Sequence, residues 1–150
     1  MLFGKRERLI SRILVVEDEP LVAFDNEHLL EEAGYEVVAT VDSLEAARAA
    51  LEGEERIDLV LTDIRLAGEG DGTDVARLAA ERGVPVLFVT GFCPAEAQSL
   101  AIGCLAKPYT DKVLKAALDC LDDALQGKEV KKLPSQLSLY DGAAPQPLDE

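Results

Sequence analysis

The 150-residue sequence predicts an α/β protein, a doubly wound sheet of parallel strands with helices on both faces. Three observations carry this. Short runs of branched apolar residues alternate with amphipathic stretches five times along the chain. Glycine or proline stands at nearly every junction. Several apolar runs also end abruptly in polar residues, as strands buried on both faces do at a functional edge.

Ile13-Leu14-Val15-Val16 is the first strand, ended by Glu17-Asp18-Glu19. Pro20 suits a first helical turn and Gly34 a stop, so Leu21 to Ala33 is read as a helix. Tyr35 to Val41 is the second strand. Asp42 or Ser43 opens a helix with Leu44, Ala47 and Leu51 on one face. Ile57 to Thr62 is the third strand, followed by Asp63. The glycine-rich loop Gly68 to Gly72 leads to a helix carrying Val75, Leu78 and Ala79, closed by Gly83. Pro85 to Val89 is the fourth strand, followed by Thr90-Gly91. Pro94 to Leu100 has room for about two helical turns before Gly103. Leu105-Ala106 is a short fifth strand, followed by Lys107-Pro108. Thr110 caps the last helix, whose stripe is Leu114, Ala117, Leu118, Leu121 and Leu125, with Gly127 beyond.

Composition narrows the function. Hydrophobic residues make up 48% and charged residues 29%, and the net charge is −14. That field repels phosphodiester backbones, so no direct contact with nucleic acid is expected. The one basic cluster, Lys5, Arg6, Arg8 and Arg12, is read as a solvated leader over residues 1–11. No signal peptide or membrane span is visible, which suits a cytoplasmic protein. Cys93, Cys104 and Cys120 lack metal-ligand spacing and are read as small buried residues in a reducing cytosol, with redox sensitivity of Cys93 and Cys104 as a lesser alternative.

Parallel connections bring the polar strand ends to one edge of the sheet. Glu17, Asp18 and Asp63 would bring three carboxylates together, and like charges at that range oppose joint ionisation. A divalent cation relieves the conflict, and an all-oxygen donor set favours Mg²⁺ or Mn²⁺. Lys107 adds a positive charge and the Thr90 hydroxyl a hydrogen bond, both suited to a phosphoryl group. A carboxylate would then be the nucleophile. Asp63 is the best candidate, central in the sheet and without a neighbouring acid.

The segments Ile13-Leu-Val-Val-Glu-Asp-Glu-Pro20, Asp58-Leu-Val-Leu-Thr-Asp-Ile-Arg-Leu66, Asp71-Gly72, Val89-Thr-Gly91 and Lys107-Pro-Tyr109 resemble, in order, the receiver domain of bacterial two-component response regulators. The resemblance covers roughly Arg12 to Leu125. It implies a flavodoxin-like five-stranded sheet in the order 2-1-3-4-5. It also implies that Asp63 is phosphorylated, Asp18 ligates the metal directly, and Glu17 acts through water. Arg65 would lend its backbone carbonyl, while Thr90 and Lys107 would sense the phosphoryl group. The implied partners are a sensor histidine kinase or a histidine phosphotransfer protein.

Two departures narrow the reading. Cys104 stands three positions before Lys107, where ordinary receivers carry an aromatic switch residue. An aromatic instead follows threonine and glycine in Leu87-Phe-Val-Thr-Gly-Phe92. This resembles an alphaproteobacterial receiver subfamily whose fourth strand ends Phe-Ala-Thr-Gly-Tyr, which makes Phe92 the switch candidate; the alternative is that Phe92 simply packs over the fourth helix. The segment between Thr90 and Lys107 is short, and Gly91, Pro94 and Gly103 weaken helix there, so a short or irregular fourth helix that orders on phosphorylation is expected.

The receiver is bounded at 12–127. The tail 128–150 is read as partly disordered, with Leu133, Leu137, Leu139 and Tyr140 available to dock on a neighbouring surface or on a second copy in a homodimer. Too short for an output domain, it points to a stand-alone receiver that signals by protein contact or serves as a phosphate sink. His28, on the first helix, is read as a surface or packing residue rather than a phosphodonor. The rivals are an aspartyl-nucleophile phosphohydrolase, disfavoured by Arg65 where such enzymes place a second Asp, a flavin-binding domain, disfavoured by the acidic first turn, and a receiver-like module that is never phosphorylated.

Overall fold

The computed structural model describes residues 8–66, 68–130 and 132–140. Residues 1–7 of the expected leader and residues 131 and 141–150 of the expected tail lie outside those residues. Strands and helices alternate: β1 (Arg12–Val16), α1 (Pro20–Glu32), β2 (Glu36–Val41), α2 (Leu44–Glu52), β3 (Leu59–Asp63), α3 (Gly72–Glu81), β4 (Val86–Thr90), a 3-10 helix (Ala95–Ser99), β5 (Gly103–Ala106), α4 (Asp111–Leu125) and β6 (Leu137–Leu139). The sheet order is β2-β1-β3-β4-β5-β6. All pairings are parallel except that of β6 with β5.

Successive strand residues feed opposite layers, as a pleat of period two requires. Ile13, Val15, Leu59, Leu61, Leu87, Val89 and Leu105 pack with Leu30, Leu114, Leu118 and Leu121 of α1 and α4. Leu14, Val16, Val60, Phe88 and Cys104 face the other way, onto Ala47, Val75, Ala79 and Ala97. Covering both faces explains why these strands read as continuous apolar runs. Two caps act as the sequence suggests, Ser43 accepting from Ala46 N and Thr110 from Val113 N, and the structure adds a capping box of Asp71 with Asp74.

Two features differ from the sequence expectation. The sheet has a sixth strand where five were expected, because the tail docks back on its own domain and pairs with β5. Leu137 is buried there and Leu105 is its register partner. Gly103 permits this approach, since a Cβ at that position would meet the Ser138 carbonyl oxygen at 2.8 Å. The strand covers an edge that would otherwise expose unpaired backbone groups.

The end of the basic leader is also part of the fold. Leu9 and Ile10 donate backbone hydrogen bonds to the buried Asp122 carboxylate at 3.1 and 3.0 Å, and Ile10 is fully buried. Arg8 lies over the Tyr35 ring, and Arg12 pairs with Glu36 and Glu55. The fourth helix is short and irregular, as expected: a five-residue 3-10 turn. Pro94 supplies its N-cap without a side-chain hydrogen bond, and Gly103 follows soon after, so an α-helix has no room to propagate. No helix among the described residues is long and apolar enough to cross a membrane.

Candidate functional site

The carboxyl ends of β1, β3, β4 and β5 carry Glu17, Asp63, Thr90 and Lys107. Glu17 continues β1 by donating its backbone N–H to Val41 O at 2.9 Å. The residue is 4% exposed, and its Oε2 accepts from Glu19 N at 3.1 Å. Burial holds the Glu17 carboxyl above its usual range, against the lowering effect of that backbone bond and of Lys107.

Asp63 closes β3. One carboxylate oxygen accepts from Arg65 N at 3.2 Å, and the other lies 2.8 Å from Lys107 Nζ. The same ammonium is 3.5 Å from Glu17 Oε1, so it stands between the two acids. Burial alone would depress Lys107, but its hydrogen bond to Asp63 and the charges of Asp63 and Glu17 outweigh this and hold it above its ordinary value.

Thr90 ends β4 and is buried, with 8% exposure; no described residue hydrogen-bonds its hydroxyl. Its carbonyl accepts from Lys107 N at 2.7 Å, which ties the ends of β4 and β5 together. Beyond Lys107, the cis Lys107–Pro108 bond leads to Tyr109. The Tyr109 hydroxyl, raised above its usual value by burial, donates to the buried Asn26 Oδ1 of α1 at 3.2 Å. This anchor was not legible from the sequence, since Asn26 lies 83 residues away.

Asp18 is half-buried beside a cleft of about 420 Å³ that Glu17, Pro20, Thr40 and Asp42 also line. Among the described residues it makes no hydrogen bond, and no group of three or more acidic, His or Cys side chains is gathered closely enough to hold an ion. The structure brings Glu17, Asp63 and Lys107 together and leaves Asp18 at the rim. The Arg65 side chain is exposed.

The loop after Asp63 is held by tight backbone contacts. Gly72 N donates to Ile64 O at 2.6 Å, and a Cβ on Gly72 would overlap the Asp63 carbonyl oxygen and the Ile64 Cα. Gly72 is therefore a close-approach glycine that lets α3 begin against the end of β3.

Phe92 is 77% exposed and does not pack over the fourth helix. His28 is a surface residue, stacked on Phe24 and 3.3 Å from Glu32. The cysteines require a correction. Cys93 and Cys104 are joined in a disulfide, whereas the buried Cys120 keeps its thiol, which donates to Lys132 O at 3.2 Å. The reason is topological. Cys104 pairs in register with Phe88 of β4, and the chain leaving β4 folds back over it.

An open parallel sheet with a lysine-bridged pair of carboxylates and a threonine at its carboxyl edge is the architecture of a phosphoacceptor signalling domain. Residues 13–119 match the response regulator receiver domain, and the chain belongs to that family. The fold expected from the sequence is the one observed, with β6 added. The chain is 38% identical over 86 residues to the phyllosphere-induced regulator PhyR of Methylorubrum extorquens, covering 56% of this chain and 32% of PhyR. It spans from about a third to two thirds of the curated relatives it matches. Among solved structures, a response regulator receiver protein from Sinorhizobium medicae is 34% identical with a TM-score of 0.67, over 77% of this chain and 96% of that one. The receiver domain of the sensor histidine kinase PA1611 from Pseudomonas aeruginosa is 28% identical with a TM-score of 0.63, over 73% and 95% of the two chains. That structure has a magnesium ion coordinated in its active site cleft.

Proposed function

We propose that Asp63 accepts a phosphoryl group from a phosphohistidine of a sensor kinase or histidine phosphotransfer protein. The observation that supports it most is the Lys107 ammonium, 2.8 Å from Asp63 Oδ2 and 3.5 Å from Glu17 Oε1. An Asp63 oxygen attacks phosphorus, the P–N bond to the imidazole breaks, and an acyl phosphate forms. Lys107 then pairs with a phosphoryl oxygen, and the unengaged Thr90 hydroxyl donates to another.

Glu17, Asp18, Asp63 and the Arg65 carbonyl offer only oxygen donors, which fits Mg²⁺ or Mn²⁺. Asp18 would bind directly and Glu17 through water. When bound, the ion neutralises charge on the phosphoryl oxygens. The net charge of −14 supports readout through protein contacts rather than nucleic acid, with service as a phosphate sink as the other outcome. Phe92, exposed two residues beyond Thr90, is the aromatic placed to report the change. The exposed Arg65 side chain occupies the place where a phosphohydrolase would carry its second acid, which favours a phosphoacceptor over an enzyme.

Incubation with a small phosphodonor and Mg²⁺, read by intact mass, tests the reading. Wild type gains one phosphoryl group and Asp63→Asn gains none. Equal labelling of the variant would overturn the assignment.

A further inference from the structure

The Cys93–Cys104 disulfide joins residues 11 apart whose Cα atoms are 6.1 Å apart. Cys104 is fully buried on β5, whereas Cys93 is half-buried and lies three residues beyond Thr90. Between the two cysteines the regular structure is the single 3-10 turn. Its backbone bonds from Ala97, Leu100 and Ala101 are local, and Ile102 N reaches Val86 O only at the far end. Gly91 and Phe92 are exposed just before Cys93. A covalent link at Cys93 therefore fastens the start of this segment to the central sheet, next to the strand end that carries Thr90.

We infer that Cys93 and Cys104 form a reversible redox modification site, a dithiol–disulfide clamp that restrains residues 91–102. Its effect on signalling rests on the Asp63 reading; the clamp itself does not. Oxidation by a low-molecular-weight disulfide such as glutathione disulfide proceeds in two exchanges. The accessible Cys93 thiolate attacks the disulfide and expels one glutathione thiolate, leaving a mixed disulfide. The Cys104 thiolate then attacks the Cys93 sulfur and expels the second. The protein loses two electrons and two protons, and one glutathione disulfide becomes two glutathiones. A dithiol reductant reverses both steps. In the oxidised form the segment bearing Phe92 is tethered to β5. In the reduced form only the core packing of Ala97 and Ala101 and the backbone bonds at Ile102 hold it, and its start can rearrange when Asp63 is modified.

The test uses the full chain in glutathione buffers of graded ratio, with alkylation and peptide mass to read each cysteine. Buried Cys120 serves as the internal reference. Cys93 and Cys104 lose alkylation together in the oxidising buffers and regain it in the reducing ones. Without phosphodonor, amide exchange over residues 91–102 is about tenfold slower in the oxidised form. Cys93→Ser, at the half-buried position, exchanges like reduced wild type in both buffers. Thiols that persist in excess glutathione disulfide would overturn the clamp. So would a bond that forms without changing exchange. With phosphodonor and Mg²⁺, the reduced form changes its exchange over 91–102 and the oxidised form does not; equal changes in both would overturn the link to signalling. Absence of phosphoryl uptake in both forms would instead defeat the Asp63 reading, with the clamp already decided by the first measurements.

Discussion

Lys107 Nζ stands 2.8 Å from Asp63 Oδ2, spanning from the end of β5 to the end of β3 past the end of β4. The two residues are 44 positions apart, and only the parallel order β3-β4-β5 brings them together. With Glu17 at 3.5 Å, one cation serves two acids that would otherwise repel each other.

Removing that cation exposes the repulsion. Lys107→Met lowers stability by about 1 kcal/mol, a figure reduced for partial solvent screening. Asp63→Asn in the Lys107→Met background recovers most of the loss, because it removes one of the facing acids. Urea unfolding of the two single variants and the double variant checks the coupling, and additive effects would contradict it.

A divalent ion should bring the same relief. Mg²⁺ raises the unfolding midpoint of the wild type in proportion to the logarithm of its concentration above the dissociation constant. Asp18→Asn abolishes the rise and Glu17→Gln weakens it. Thermal unfolding across a Mg²⁺ series reads this directly, and an undiminished shift in Asp18→Asn would exclude Asp18 as a direct ligand.

Acid sensitivity arises at the other end of the sheet. Burial would raise the Asp58 carboxyl, but the backbone N–H groups of Ser11 and Arg12, with Arg56 and the Ser11 hydroxyl, more than compensate and hold it below its ordinary value of 3.8. The folded state thus binds this proton less tightly than the unfolded chain. The stabilisation is present above pH 3.8 and is lost as pH falls through the lower folded value. Asp58→Asn lowers stability by roughly 1 kcal/mol at neutral pH and flattens the acid limb, as measured by urea unfolding across a pH series.

Gly72→Ala places a methyl group on the Asp63 carbonyl oxygen, so either the end of β3 or the start of α3 must shift. A loss of about 2–4 kcal/mol is expected, with slower phosphoryl uptake as Asp63 moves. Gly83→Ala, at φ 72° but with nothing within 4 Å of the added carbon, serves as the comparison and costs about 1 kcal/mol. Equal losses at both positions would show that close approach is not what Gly72 provides.

Much of this was legible in the residues. The apolar runs and their punctuation marked the first five strands, and the polar residues following them marked the edge where Glu17, Asp63, Thr90 and Lys107 collect. Ser43 and Thr110 announced their helices through short side chains that reach only the next turn, so local sequence suffices there; the Asp71 cap, inside a glycine-rich loop, was not read. The short tail strand was not legible, because Leu137-Ser138-Leu139 lacks the length to declare itself and depends on β5 for its hydrogen bonds. Asp122 gave no sign of holding Leu9 and Ile10, since it sits within an acidic stretch of an amphipathic helix.

Short-range periodicity and backbone geometry set the order of strands and helices and the residue types at each strand end. Which of those groups meet was decided by tertiary structure alone. The parallel crossovers set Lys107 between Glu17 and Asp63 while Asp18 stays at the rim, and the chain leaving β4 turns back to join Cys93 to Cys104. Distances between groups so far apart in the chain depend on how the layers pack, and no local pattern encodes them.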